Sequence, residues 1–323
     1  MPDRRPLTGI ASTAWEHPAD RAALNAARAL PGFDEVVRKV VGFFGDRGIR
    51  QLFLANAVRV GPTQRPKLHA LYTEVLRTLD SPTVPELYVT QTPFVNAAAI
   101  GLERPFIIVN SGALELLDDE ERRFILAHEL GHVMSGHTTY TTIALILMTI
   151  GISNLPFLAG IALMPFQLAL FEWYRKAEFS ADRAGLLGTQ DLETSMRVFL
   201  KFAGGRDADA MDLDAFMTQA AEYETGGNAW DLVLKVLNTA FRDHPFATVR
   251  AAELKRWFDS GDYGRILDGE YPGRDGAQPP PPLSEDVADA AGYYGEAARR
   301  AADTLAGTLR RASDAFSDAM KKR

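Results

Sequence analysis

The apolar positions change period along the chain. Over residues 20–80 they recur at helical spacing. Val36, Val37, Val40, Val41 and Phe44 follow one another in one segment, and Leu68, Leu71, Tyr72, Val75, Leu76 and Leu79 share a face in another, with Gly61-Pro62 and Pro66 between them. After Pro82 the period shortens. Residues 86–91 alternate apolar and polar, 94–101 and 104–110 flank a turn at Glu103, and Phe106, Ile107, Ile108 and Val109 are strand formers. A small antiparallel sheet is expected here. Residues 111–117 predict a short helix. Asp118, with Glu121 three positions on, predicts a capping box that opens a second one. From Thr138 to Phe171 no residue is charged, and helix is expected over 172–187 and through most of 191–259. Residues 266–283 are rich in proline and glycine and read as a linker, and 284–323 read as an Ala-rich, charge-balanced tail helix. The fold class is α+β, mostly α.

Composition narrows the chemistry. A chain of 323 residues, 46% hydrophobic and 24% charged, is long and apolar enough for a sizeable core. It contains no cysteine, which excludes disulfides, thiolate metal sites, iron–sulfur clusters and a cysteine nucleophile. Any metal must then sit on His, Asp or Glu. The net charge of −7 argues against a nucleic-acid partner, which calls for a basic face. The first twenty residues hold no apolar core of a signal peptide, so a cytoplasmic location is expected. Of six histidines, three fall within ten residues, at 128, 132 and 137.

That cluster carries the strongest motif, His128-Glu129-Leu130-Gly131-His132. Histidines at i and i+4 lie on one helix face and can share one metal. Glu129 beside them can take a proton from an activated water and deliver it to a leaving amine. A catalytic zinc needs three protein ligands and one open position. Without cysteine the best third ligand is Glu178, in a helix that places Asp182 one turn on, where it would orient a ligand histidine. The competing reading of Glu178 and Asp182 is a solvated acidic face. His137, five residues past His132, reads as a neighbour of the site or a surface residue.

Taken with residues 96–99, 111–117 and the block Arg175…Glu178…Asp182…Gly185, the motif resembles the HtpX and CAAX-prenyl-endopeptidase family, peptidase family 48 of the metallopeptidases, over roughly residues 70–260. The resemblance implies a gluzincin-type zinc metallopeptidase domain. His128, His132 and Glu178 would bind one Zn2+, and Glu129 would be the catalytic base. The family's downstream His-Pro followed by arginine appears here as His244-Pro245 and Arg250, which would bring His244 to the site to stabilise an oxyanion. Tyr140 and Tyr174 are further oxyanion candidates. On this reading residues 1–80 are an N-terminal helical segment packed on a catalytic domain of 81–265, with an apolar helical hairpin at 138–171.

A polypeptide substrate is expected to lie along an edge strand near 106–110, with Asn96 and Asn110 beside the cleft. The uncharged run cannot hold two full crossings of a bilayer, which need about 40 apolar residues, and a single crossing would part His132 from Glu178. Two packed helices or a shallow, peripheral membrane contact through 138–171 remain open. The function expected is that of a zinc metalloendopeptidase of protein quality control; a latent enzyme whose cleft the hairpin or the tail covers is a further possibility. The alternative is a zinc-stabilised, chaperone-like scaffold without proteolytic activity. His and Glu ligands also accept other divalent ions.

Overall fold

A computed structural model of the chain describes residues 4–153, 157–207, 210–225 and 245–276. Two helices position the site. α5 (Asp119–Met134) opens on Asp118, whose side chain accepts from the backbone N–H of Glu120 and Glu121, while the Glu121 carboxylate accepts from the N–H of Asp118. Such a cap contributes about 1 kcal/mol. α7 (Phe157–Thr189) is one continuous helix, so the apolar run and the helix expected over 172–187 join without a break. These two helices form the most extensive contact between described elements. Small residues permit the approach: a Cβ on Gly131 would lie 2.5 Å from the Cβ of Ala184, and one on Gly188 would lie 2.2 Å from that of Ala127.

The other helices pack around this pair. α1 (Pro18–Arg28) lies along α7. α2 (Phe33–Leu54) and α3 (Pro66–Thr78) precede the sheet, and α4 (Ser111–Leu116) and α6 (Thr138–Ser153) flank α5 in sequence. α8 (Leu192–Gly204), α9 (Leu213–Thr225), α10 (Ala247–Asp259) and α11 (Asp262–Leu267) complete the described helices. The main core joins Leu7, Trp15, Val75 and Ile107 to Phe124, Phe199 and Trp257. A second core packs Phe33, Ile143, Leu147, Leu170 and Trp173 between α1, α6 and α7. No described helix is long and apolar enough to cross a membrane.

The sheet corrects an expectation. It has four strands in the order β1 (Ala57–Arg59), β2 (Glu86–Thr90), β4 (Phe106–Asn110), β3 (Ala97–Ile100). It is mixed rather than antiparallel: β2 and β4 run parallel, because the β3–β4 hairpin intervenes and restores the chain direction. The strand at 106–110 is therefore interior, flanked on both sides, and the edge on that side of the sheet is β3. The four apolar residues in a row at 106–109 are all buried, as a central strand requires.

The N-terminal segment is not purely helical either, since β1 pairs antiparallel with β2. The same segment enters the main core: Leu7, Ile10 and Trp15 sit there with Phe124. Of the expected linker 266–283, the described part is docked. Ile10 bridges to Gly273, and Arg274 ion-pairs with Asp80 at 2.7 Å. The tail 284–323 lies outside the described residues.

Candidate metal centre

α5 presents His128, Glu129 and His132, all buried, towards α7. On α7, Glu178 and Asp182 lie one turn apart and face them, also buried. One donor atom from each of His128, His132 and Glu178 lies within 4.8 Å of the others. Nε2 of His132 is 3.2 Å from Oε1 of Glu178, and Nε2 of His128 is 3.6 Å from its Oε2. Glu129 Oε1 is 4.0 Å from Nε2 of His128. The three proposed ligands and the proposed base thus occupy one locus, which the spacing of each helix taken alone left open.

Both histidines are held from behind. Nδ1 of His128 meets Oδ1 of Asp182 at 3.0 Å. Arg250, on α10, donates to both oxygens of Asp182, from Nε at 2.8 Å and Nη2 at 2.5 Å, and its Nη1 lies 3.2 Å from Glu178 Oε2. Its guanidinium also rests 5.3 Å from the centre of the Phe199 ring. Burial alone would lower the Arg250 pKa, but Asp182 and Glu178 outweigh it and raise it above its ordinary value. Sequence reading quoted Arg250 without a role. The available signal was its place in the pattern of His-Pro followed by arginine.

Behind His132 the arrangement is different. Its Nδ1 lies 3.0 Å from Nδ1 of His137, whose Nε2 lies 3.0 Å from Oδ2 of Asp20 on α1. His137 is thus a buried neighbour of the site rather than a surface residue. Burial is the main cause that lowers His132 to about 4, with the Glu178 contact opposing it, so the ring is neutral near pH 7. For His137 burial also acts downward, but Asp20 prevails and raises it.

A cavity of about 660 Å³ opens on this locus, lined by His128, Glu129, Glu178 and Arg250 and by apolar groups such as Ile125, Phe202 and Phe246. Asn96 lines it, together with Ala97 at the start of β3. Asn110 instead donates its backbone N–H to the carbonyl of Asn96. Tyr174 packs 6.1 Å from the His132 ring, and Tyr140 meets Phe33 tilted and Trp173 edge-on; neither is among the described residues lining the cavity. His244 lies outside the described residues, although Pro245 next to it lines the cavity.

The family model for peptidase family M48 matches residues 62–258. The chain is similar to the plastoglobule-localized metallopeptidase 48, chloroplastic, of Arabidopsis thaliana, at 33% identity over 260 residues covering 78% of this chain and 74% of that protein. It is similar to a protease HtpX homolog of Moorella thermoacetica at 32% identity over 120 residues, 36% of this chain and 39% of that protein. A protease HtpX homolog of Ralstonia pickettii is 26% identical over 251 residues, 68% of this chain and 83% of that protein. No solved structure matches the chain.

Proposed function

Because the chain belongs to peptidase family M48 and is accordingly a metallopeptidase, we propose that it is a zinc endopeptidase with His128, His132 and Glu178 as ligands and Glu129 as base. The observation that carries this reading is the convergence of three donor atoms within 4.8 Å beside Glu129 in one cavity. The donor set suits the ion. Both Nδ1 atoms are engaged at the back, which leaves both Nε2 atoms facing Glu178. Three buried carboxylates, Glu129, Glu178 and Asp182, against one guanidinium, Arg250, leave a formal excess of negative charge that a divalent cation offsets.

When bound, zinc supplies a Lewis acid that polarises the scissile carbonyl and lowers the pKa of water. The protein's part is proton handling. Glu129 takes a proton from the attacking water and passes it to the amide nitrogen as the C–N bond breaks. Asp182 and Arg250 keep His128 turned to its task. His244 remains the candidate oxyanion donor.

The substrate, on this reading, is an extended polypeptide laid along β3, whose first residue lines the cavity. Main-chain recognition of that kind reads unfolded segments rather than a folded epitope, which favours a role in protein quality control. A peripheral lipid contact through 138–171 fits the uncharged run, within which Leu168 is exposed.

Glu129→Gln tests the mechanism. The variant should keep stoichiometric zinc and cleave casein or peptides at least about 100-fold more slowly than wild type. Equal cleavage by the two proteins would sink the assignment. A wild type that holds zinc but cleaves no member of a peptide library would favour the scaffold alternative.

A further inference from the structure

We propose that Asp20, on α1 and outside the family-matched stretch 62–258, is a positioning residue for the ligand His132 and acts through His137. The inference rests on the zinc assignment to His128, His132 and Glu178.

The chain of contacts is continuous and buried. Asp20 Oδ2 lies 3.0 Å from Nε2 of His137, Nδ1 of His137 lies 3.0 Å from Nδ1 of His132, and Nε2 of His132 faces Glu178. Only one placement of hydrogens on this chain frees Nε2 of His132 for a metal. The Asp20 carboxylate accepts and cannot donate, so Nε2 of His137 carries a hydrogen. With His137 neutral, its Nδ1 then accepts from the Nδ1–H of His132, and Nε2 of His132 keeps its lone pair. If His137 instead donated from Nδ1, His132 would have to carry its hydrogen on Nε2, where the metal binds. Among the neutral tautomers of His137, Asp20 selects the productive one and anchors the ring through its Nε2.

Asp20 is itself fixed. Ser180 Oγ donates to its Oδ2 at 2.6 Å and Trp173 Nε1 donates to its Oδ1 at 2.8 Å. Both donors belong to α7, the helix that carries Glu178. One helix thus supplies the third ligand directly and anchors the second through the N-terminal segment. An acidic residue in a helix's first turn can interact with the helix dipole from the surface. Asp20 is only 2% exposed, and burying a carboxylate is costly unless its oxygens are fully partnered, as here.

The test titrates the metal-free, full-length protein with Zn2+ against a chromogenic chelator and records the visible spectrum of the Co2+-loaded form. Asp20→Asn should bind zinc about 10- to 100-fold more weakly and shift the Co2+ bands, the usual effect of losing an outer partner of a ligand. His137→Phe, which keeps a ring against Trp173, should show the same loss, and the double variant should be no weaker than His137→Phe alone. Trp173→Phe removes one donor to Asp20 but keeps an aromatic ring against His137 and both links of the relay, and should stay within about threefold of wild type. Unchanged affinity in Asp20→Asn, additive losses in the double variant, or an equal loss in Trp173→Phe would overturn the relay. If Asp20→Asn does not fold, unchanged affinity in His137→Phe overturns it alone. A wild type that binds no zinc would instead sink the zinc assignment from which the inference starts.

Discussion

The two ligand histidines, one helical turn apart on α5, are supported in opposite styles. His128 is backed by a carboxylate in direct contact, Asp182, which a guanidinium clamps through two hydrogen bonds. His132 is backed by another imidazole, and the carboxylate stands one ring further out, on α1. The first arm is an ion pair built from α7 and α10, within the stretch shared with the family. The second is a hydrogen-bond relay that reaches residue 20. An ion pair in a dry site is valuable only while both members are present. A relay ending on a carboxylate held by Ser180 and Trp173 depends more on geometry than on charge. The arms should therefore fail differently: loss of the first should show mainly in stability, loss of the second mainly in metal affinity.

The largest effect is expected from Arg250→Met. It strands Asp182 and Glu178 as buried carboxylates without their cation, which costs about 3–5 kcal/mol. Urea denaturation of the metal-free protein should show that loss. Zinc should recover part of it, because a dication replaces the missing positive charge beside Glu178. If Arg250→Met destabilises no more than Asp20→Asn does, the contrast between the arms is broken.

Gly188→Val should act on both arms together. The new side chain meets Ala127 where even a Cβ would lie at 2.2 Å, so α5 and α7 must separate. Overpacking of this kind costs about 1–3 kcal/mol. Because Glu178, Asp182, Ser180 and Trp173 all ride on α7, zinc affinity should fall as well, in contrast to a surface substitution on the same helix. A crystal structure or a thermal midpoint identical to wild type would show that the helix spacing is not what sets the site.

What the sequence made legible follows from how local each feature is. The pairs His128/His132 and Glu178/Asp182 are i, i+4 relations inside one helix, and the cap at Asp118 is a three-residue pattern, so all could be read directly. That Asp182 would back one of the ligand histidines was also expected, since each needs a partner for its second nitrogen; the structure shows it to be His128. Strand order was not legible. The alternation at 86–91 and the apolar run at 106–109 define strands, but their neighbours depend on non-local pairing, and the run was read as an edge when its unbroken burial is that of a centre. Asp20 escaped notice for a different reason. An acid in the first turn of a helix has an ordinary explanation in the helix dipole, and nothing local to residues 17–28 hints that this one faces inward to His137. The N-terminal segment contributes both a strand to the sheet and a carboxylate behind the site, neither of which its helical spacing announced.

The smallest predicted effect is a pH dependence, and it tests whether the outer end of the relay is charged. Burial would raise the Asp20 pKa, but His137, Ser180 and Trp173 together hold it below its ordinary value of 3.8. A carboxylate depressed in the folded state binds fewer protons there than in the unfolded chain, so its stabilisation is complete above about pH 4 and is lost as pH falls through the folded pKa. Asp20→Asn never had that charge. As pH falls below about 4, its deficit in unfolding free energy relative to metal-free wild type should therefore shrink as the wild-type carboxylate protonates. Denaturation curves for the two proteins at matched pH values between about 2 and 7 measure this difference directly. A deficit that stays constant down to the lowest pH would mean that Asp20 acts as a neutral hydrogen-bond partner, and the second arm would then differ from the first in charge as well as in length.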